Sequence, residues 1–104
     1  MVILDSYQAS AAREAIYEPP PDRLGALRAL AEPVRLALVD ELAREDACAC
    51  DLRGRLGLSA PLLSHHLKVL REAGLVSCVK VGRRMQVTLD RDALGEVVAS
   101  LGAA

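Results

Sequence analysis

The sequence predicts a mainly α-helical domain with one small β-hairpin, and three observations predict it. A short helical stretch, Leu52 to Leu56, stops at Gly57 and is followed at once by a longer one opening at Ser59. Two alternating segments, Leu75–Val81 and Arg84–Leu89, flank the turn pair Gly82-Arg83 directly behind it. Most of the remaining chain carries apolar residues at helical spacing. A short helix, a glycine-containing turn and a second helix form a helix-turn-helix. The hairpin that follows adds a wing, so the expected fold is a winged helix-turn-helix. Residues 1–104 are read as one such domain: an N-terminal helix and proline linker over 1–21, the helix-turn-helix over 51–74, the wing over 75–89, and a terminal helix over 90–101.

Each element has a local reason. Asp5 to Tyr17 is expected to be helical, because Ala9, Ala12 and Ile16 fall on one stripe. Pro19-Pro20-Pro21 follows as a stiff spacer. Asp22 is placed to cap a short helix running to Leu30, with Leu24, Leu27 and Leu30 apolar. Pro33 suits the first turn of a third helix reaching about Ala43, which buries Val34, Leu38 and Leu42 with Leu36 and Val39 flanking. Glu45-Asp46 end it in a loop, Cys48-Ala49-Cys50 follows, and Asp51 is expected to cap the helix beginning at Leu52. Ser59 caps the next helix, with Pro61 in its first turn, Leu63, Leu67 and Leu70 on its inner face, and Gly74 ending it. His66, three residues after Leu63, is expected to turn toward the scaffold. In the hairpin, the two-residue turn sets Val81 opposite Arg84 and Cys78 opposite Val87, with Cys78 and Val87 on one face. Asp90 caps a last helix with Leu94, Val97, Val98 and Leu101 on one stripe.

Composition narrows the class. There is no Phe or Trp, and the aromatic residues are Tyr7 and Tyr17, so the core must be aliphatic. Short aliphatic chains often gain burial by oligomerising. The terminal helices carry apolar stripes with no role inside a minimal winged domain, which makes them the expected homodimer surface. No apolar run approaches the ~20 residues of a membrane span, and the first residues lack a basic segment followed by an apolar one. A cytoplasmic, reducing location is therefore expected. Three cysteines, an odd number, also argue against a structural disulfide framework.

The net charge of −1 conceals an asymmetry. Between Arg53 and Arg84 there are seven Lys or Arg and one acid, Glu72, giving +6, and the rest of the chain carries −7. A basic block in a near-neutral protein is the footprint of a polyanion-binding face. The helix opening at Ser59 presents Ser59, Ser64, His65 and Lys68 outward, a set able to reach base edges and phosphates in a major groove. Arg83 and Arg84 stand at the hairpin tip, where a neighbouring minor groove or phosphate run lies. The plainer reading, charged residues solvating a helical bundle, is disfavoured by the basic wing and the capped Ser59 helix.

Residues 22 to 101 resemble the ArsR/SmtB family of metal- and stress-responsive repressors. The resemblance rests on Ala31-Glu32-Pro33-Val34-Arg35-Leu36, on Cys48-Ala49-Cys50-Asp51-Leu52, on Leu58-Ser59 through Ser64-His65-His66-Leu67, on Leu70-Arg71-Glu72-Ala73-Gly74-Leu75-Val76, and on Gly82-Arg83-Arg84. It implies a homodimeric repressor that binds a palindromic double-stranded operator and leaves it when an effector binds. Ala60 and Leu62 replace the polar and small residues usual in the family, which reduces direct base readout there; Leu62 suits a thymine methyl.

The resemblance further implies that Cys48-Ala49-Cys50 is a soft-metal site, and thiolates do prefer soft ions. As(III) or Sb(III) is the leading inducer, with Cd or Pb as alternatives. A trivalent metalloid takes three thiolates. Some relatives carry a third Cys three residues after the second, where this chain has Arg53, so Cys78 is the remaining candidate, with Asp51, a cellular thiol or water as other third ligands. Equally, Cys78 fills core space. The terminal helix offers Asp90, Asp92 and Glu96 but no His, so the His-carboxylate site of zinc-, nickel- and cobalt-responsive relatives is absent. The same fold sensing redox or sulfur species through these thiols ranks lower, because a Cys-x-Cys disulfide closes a small strained ring. No catalytic set is present, and a thiol oxidoreductase would need Cys-x-x-Cys beside a βαβ pattern.

Overall fold

The computed structural model describes residues 21–102, and over them five helices and the hairpin follow in the expected order, with a further two-residue strand ahead of the third helix. The helix expected over Asp5–Tyr17, with its stripe of Ala9, Ala12 and Ile16, lies outside the described residues. Helix α1 spans Pro21–Leu30 and so begins one residue before the expected cap at Asp22. Helix α2 spans Pro33–Arg44. Its cap is Glu32, whose carboxylate accepts the Arg35 backbone N–H at 2.8 Å while Pro33 takes the first turn, where a missing N–H costs nothing.

The start of the next helix differs from the expected one. Ala47–Cys48 forms strand β1, and helix α3 runs Ala49–Leu56, so its cap is Cys48 and not Asp51. The Cys48 sulfur accepts the Asp51 backbone N–H at 3.3 Å, and Asp51 lies inside the first turn, where its charge suits the positive helix end. Gly57 ends α3 with φ of 65°, a left-handed conformation that glycine adopts without penalty. Ser59 then caps helix α4, Ala60–Glu72, its hydroxyl accepting the Leu62 N–H at 3.3 Å.

The wing is strand β2, Val76–Val81, and strand β3, Arg84–Leu89. Their register, with Val81 opposite Arg84 and Cys78 opposite Val87, is the one expected from a two-residue turn at Gly82-Arg83. Gly82 has φ of 62°, which supplies the positive dihedral that such a turn requires. Strand β1 adds to the far edge of β3, so the antiparallel sheet has the order β1-β3-β2. Helix α5, Arg91–Gly102, closes the described chain, with Asp90 Oδ1 accepting the Ala93 N–H at 3.0 Å.

The core is aliphatic. Leu38 and Leu42 of α2, Leu52 of α3, Leu70 of α4, Leu75 and Val87 are all fully buried. Leu63 and Leu67 complete the inner face of α4, which fixes the opposite face outward. Leu36, expected to flank the buried stripe of α2, is instead half exposed. The α5 stripe divides: Val97 and Leu94 pack on the core, whereas Val98 and Leu101 remain about 60% exposed.

Candidate nucleic-acid interface and thiol cluster

Because Leu63, Leu67 and Leu70 turn inward, the opposite side of α4 carries Ser64, His65 and Lys68 into solvent. His66 takes the inward side and is 8% exposed. Its Nδ1 lies 3.3 Å from Arg35 Nη1 and 3.9 Å from Glu32 Oε1. A guanidinium only donates, so a hydrogen bond in this pair requires the tautomer that leaves Nδ1 without a hydrogen. Arg35 is held in turn by its Nε donating to the Ala29 carbonyl at 2.6 Å. The Arg35 backbone N–H holds the Glu32 carboxyl below its ordinary range; desolvation opposes this, and attraction to His66 and Arg35 adds to it. Helix α4 is thereby anchored to the start of α2 by a polar joint between residues 31 apart, which no local sequence signal announces.

The turn from β1 into α3 brings two thiols together. Residues two apart on a strand share a face but lie about 6.6 Å apart, and on a helix they diverge by about 200°. Cys48 and Cys50 escape both limits because the backbone changes from extended to helical between them. Their Cα atoms are 5.4 Å apart and their sulfurs are paired as a disulfide. Spacing alone disfavours this pairing, and the strand-to-helix junction is the reason it forms. Asp51 joins the group: its carboxylate and the two sulfurs all lie within 4.8 Å of one another. The two cysteines differ, Cys48 being 3% exposed and Cys50 exposed.

With the pair reduced, a soft ion would meet two thiolates and one hard oxygen here, so the donor set suits a thiophile whose third position is filled by Asp51 or from outside. Cys78 stands apart from that close group. The sheet register explains it. Ala47, Val87 and Cys78 share one row, while Cys48 shares the next row with Gln86, so the Cβ atoms of Cys48 and Cys78 leave opposite faces. Cys78 is half-buried against the core.

The wing reaches back to this cluster. Arg84 Nη1 points at Cys48 Sγ from 3.7 Å, bridging 36 residues of sequence. Between α3, α4 and the wing lies a cavity of about 380 Å³ whose walls include Cys50, Arg53, Arg71, Cys78, Arg83 and Arg84. Ser64 also lines it, so α4 and wing-tip positions expected to face DNA border the same space as Cys50 and Cys78. The Arg84–Cys48 contact and the convergence of Arg53 and Arg71 were not visible in sequence, because each joins elements far apart along the chain.

Comparison with known proteins agrees with this architecture. A family model described as bacterial regulatory protein, arsR family, matches residues 32–77. A transcriptional repressor SmtB homolog of Synechocystis sp. is 43% identical over 59% of this chain. The chain spans 46% of that relative's length. An arsenical resistance operon repressor of Staphylococcus xylosus is 36% identical, with 72% of each chain covered. Among solved structures, a possible transcriptional regulator for arsenical resistance superposes with a TM-score of 0.70 at 34% identity, over 76% of this chain and 82% of the other.

Proposed function

Because the chain belongs to the arsR family of bacterial regulatory proteins, whose members bind DNA as transcriptional repressors and are not enzymes, we propose that it is a homodimeric repressor released from a palindromic operator by a thiophilic ion. The observation that carries the effector reading is the dithiol cluster at the strand-to-helix junction that opens the helix-turn-helix. Cys48 and Cys50 would hold the ion, with Asp51 or an external ligand third, and arsenite or antimonite is the favoured inducer. Engagement of both sulfurs strains or unwinds the first turn of α3, because Cys48 is also that helix's cap. α3 packs on α4, so the shift reorients the recognition helix. A coupling of ~1–3 kcal/mol suffices to lower operator affinity ~5–150-fold.

On the DNA side, Ser64 and His65 read sequence, Ser59 anchors the start of α4, and Lys68, Arg83 and Arg84 contact phosphates. The test is an arsenite titration of the reduced protein bound to its operator. Cys48→Ser and Cys50→Ser should each keep DNA affinity and lose the response, whereas a double variant that still dissociates normally places the sensing site elsewhere. Cys78→Ser separates a ligand from a core filler by whether arsenite affinity falls.

A second reading is favoured by the pairing of Cys48 with Cys50. Closing and opening that pair would itself displace the cap of α3, making the same junction a redox switch. Operator affinity of oxidised and reduced protein, measured without metal, distinguishes the two: equal affinities leave the ion as the effector.

A further inference from the structure

We propose that the arginine-lined cavity between α3, α4 and the wing binds a carboxylate-bearing low-molecular-weight thiol and directs its sulfur to Cys50, opening the Cys48–Cys50 pair by thiol–disulfide exchange. This deepens the sensing reading above, since only the opened dithiol can hold a soft ion.

Three features on different elements converge on it. The cavity is walled by Arg53 of α3, Arg71 of α4, and Arg83 and Arg84 of the wing; among the described residues no Asp or Glu lines it, and Asp51, whose carboxylate lies within 4.8 Å of the Cys50 sulfur, stands outside that lining. Four arginines on three elements give the cavity a cationic wall that suits an anion, and fork-shaped guanidinium donors match carboxylates in particular. Its volume of about 380 Å³ lies in the range of small-molecule sites, ~300–1,000 Å³. Finally, the two cysteines of the pair are not equivalent. Cys50 lines the cavity and is exposed, whereas Cys48 does not line it and is buried.

That asymmetry sets the direction of exchange. The incoming thiol loses its proton to solvent, and its thiolate forms a new S–S bond to Cys50 Sγ. The Cys50–Cys48 bond breaks, and its electron pair stays on Cys48 Sγ. That sulfur already accepts the Asp51 backbone N–H at 3.3 Å and faces Arg84 Nη1 at 3.7 Å, two donors that stabilise a departing thiolate. Exchange is faster when the leaving thiolate is stabilised and when one sulfur is accessible, so both effects select Cys50 as the site attacked. A second thiolate then attacks the small molecule's sulfur in the mixed disulfide, releasing the oxidised small-molecule disulfide and leaving Cys50 as a thiolate. The adduct stage also places carboxylates among Arg83 and Arg84, which are the wing cations assigned above to phosphate.

The experiment uses the oxidised full chain with two probes, glutathione and its diethyl ester, which carry the same thiol with and without free carboxylates. Acid-quenched mass spectrometry follows adduct formation, and peptide mapping locates it. At low salt glutathione should react about fivefold faster than the ester, the scale of one exposed ion pair, with the adduct on Cys50. The advantage should vanish in concentrated salt and in Arg53→Gln/Arg71→Gln, and survive in Arg53→Lys/Arg71→Lys. Equal rates for the two probes, or an adduct on Cys48, overturn the proposal. Neither result bears on the arsenite response of protein already reduced, so the two readings fail separately.

Discussion

Glu32 caps α2, and the Arg35 N–H that it accepts holds its carboxyl below the ordinary value of 4.5. A depressed folded-state pKa means that the unfolded chain binds the proton more readily. The stabilisation from Glu32 is therefore present in full above about pH 4.5, the unfolded value, and is lost as pH falls through the lower, folded one. Glu32→Gln should destabilise the protein at neutral pH and flatten the acid limb of the stability curve, read from urea midpoints between neutral pH and the acid transition. An unchanged acid limb would show that the cap contributes nothing to acid sensitivity. In the core, Leu42 is fully buried, so Leu42→Ala should cost ~2–5 kcal/mol by chemical denaturation, the range for a leucine whose cavity cannot fully collapse. Most of the core leucines and the caps Ser59 and Asp90 were legible from spacing alone, because they obey local rules. The cap supplied by a cysteine was not, since Asp51 is the better intrinsic cap and only the pairing of β1 with β3 moves the helix start to Ala49. Glu32, Arg35 and His66 stand in legible motifs, but their joint is tertiary.

At the scale of elements, the second helix of the helix-turn-helix and the wing were legible almost to the residue, whereas the first helix begins three residues before its expected start. Glycines at 57, 74 and 82 adopt positive φ where the pattern needs a stop or a turn, and a two-residue hairpin turn leaves one register. What the sequence could not show is how elements share surfaces. Arg84 belongs to the wing by position yet points at Cys48, so the wing and the thiol junction touch. Arg83 remains exposed at the tip. If both bind phosphate, Arg83→Ala/Arg84→Ala should weaken binding to all duplex sequences about equally. The slope of log affinity against log salt should then drop by about 0.9 for each phosphate that is no longer neutralised. An unchanged slope in the double variant would remove the wing from the interface. Ser64→Ala or His65→Ala should instead cut operator affinity more than affinity for unrelated duplex, by ~1–3 kcal/mol for a base-reading side chain. Equal reductions on both would leave these residues a positioning role only.

For the whole molecule, the distribution of buried surface decides how the domain is used. Val97 and Leu94 of α5 pack onto the core, but Val98 and Leu101 on the same helix stay largely open. Isolated exposed apolar residues are ordinary, yet two on one face of a terminal helix, one turn apart, form a stripe that water penalises. A twofold pairing through that stripe would bring two copies of α4 into one assembly, each held to its own domain by the His66 joint and by its apolar face. Two copies would then present outward helices to one side of a duplex, with half-sites ~34–36 Å apart or a multiple of it. Val98→Glu tests this arrangement directly. A buried, unpaired carboxylate at a small interface is costly, whereas at position 98 of a lone domain it simply faces water and leaves the fold intact. Sedimentation should find the variant monomeric with an unchanged circular-dichroism spectrum, and its operator affinity should fall toward that for unrelated duplex because one half-site is read at a time. A variant that stays dimeric, or a monomer that binds the full operator as tightly as before, would mean that α5 is not the surface through which this repressor reads symmetric DNA.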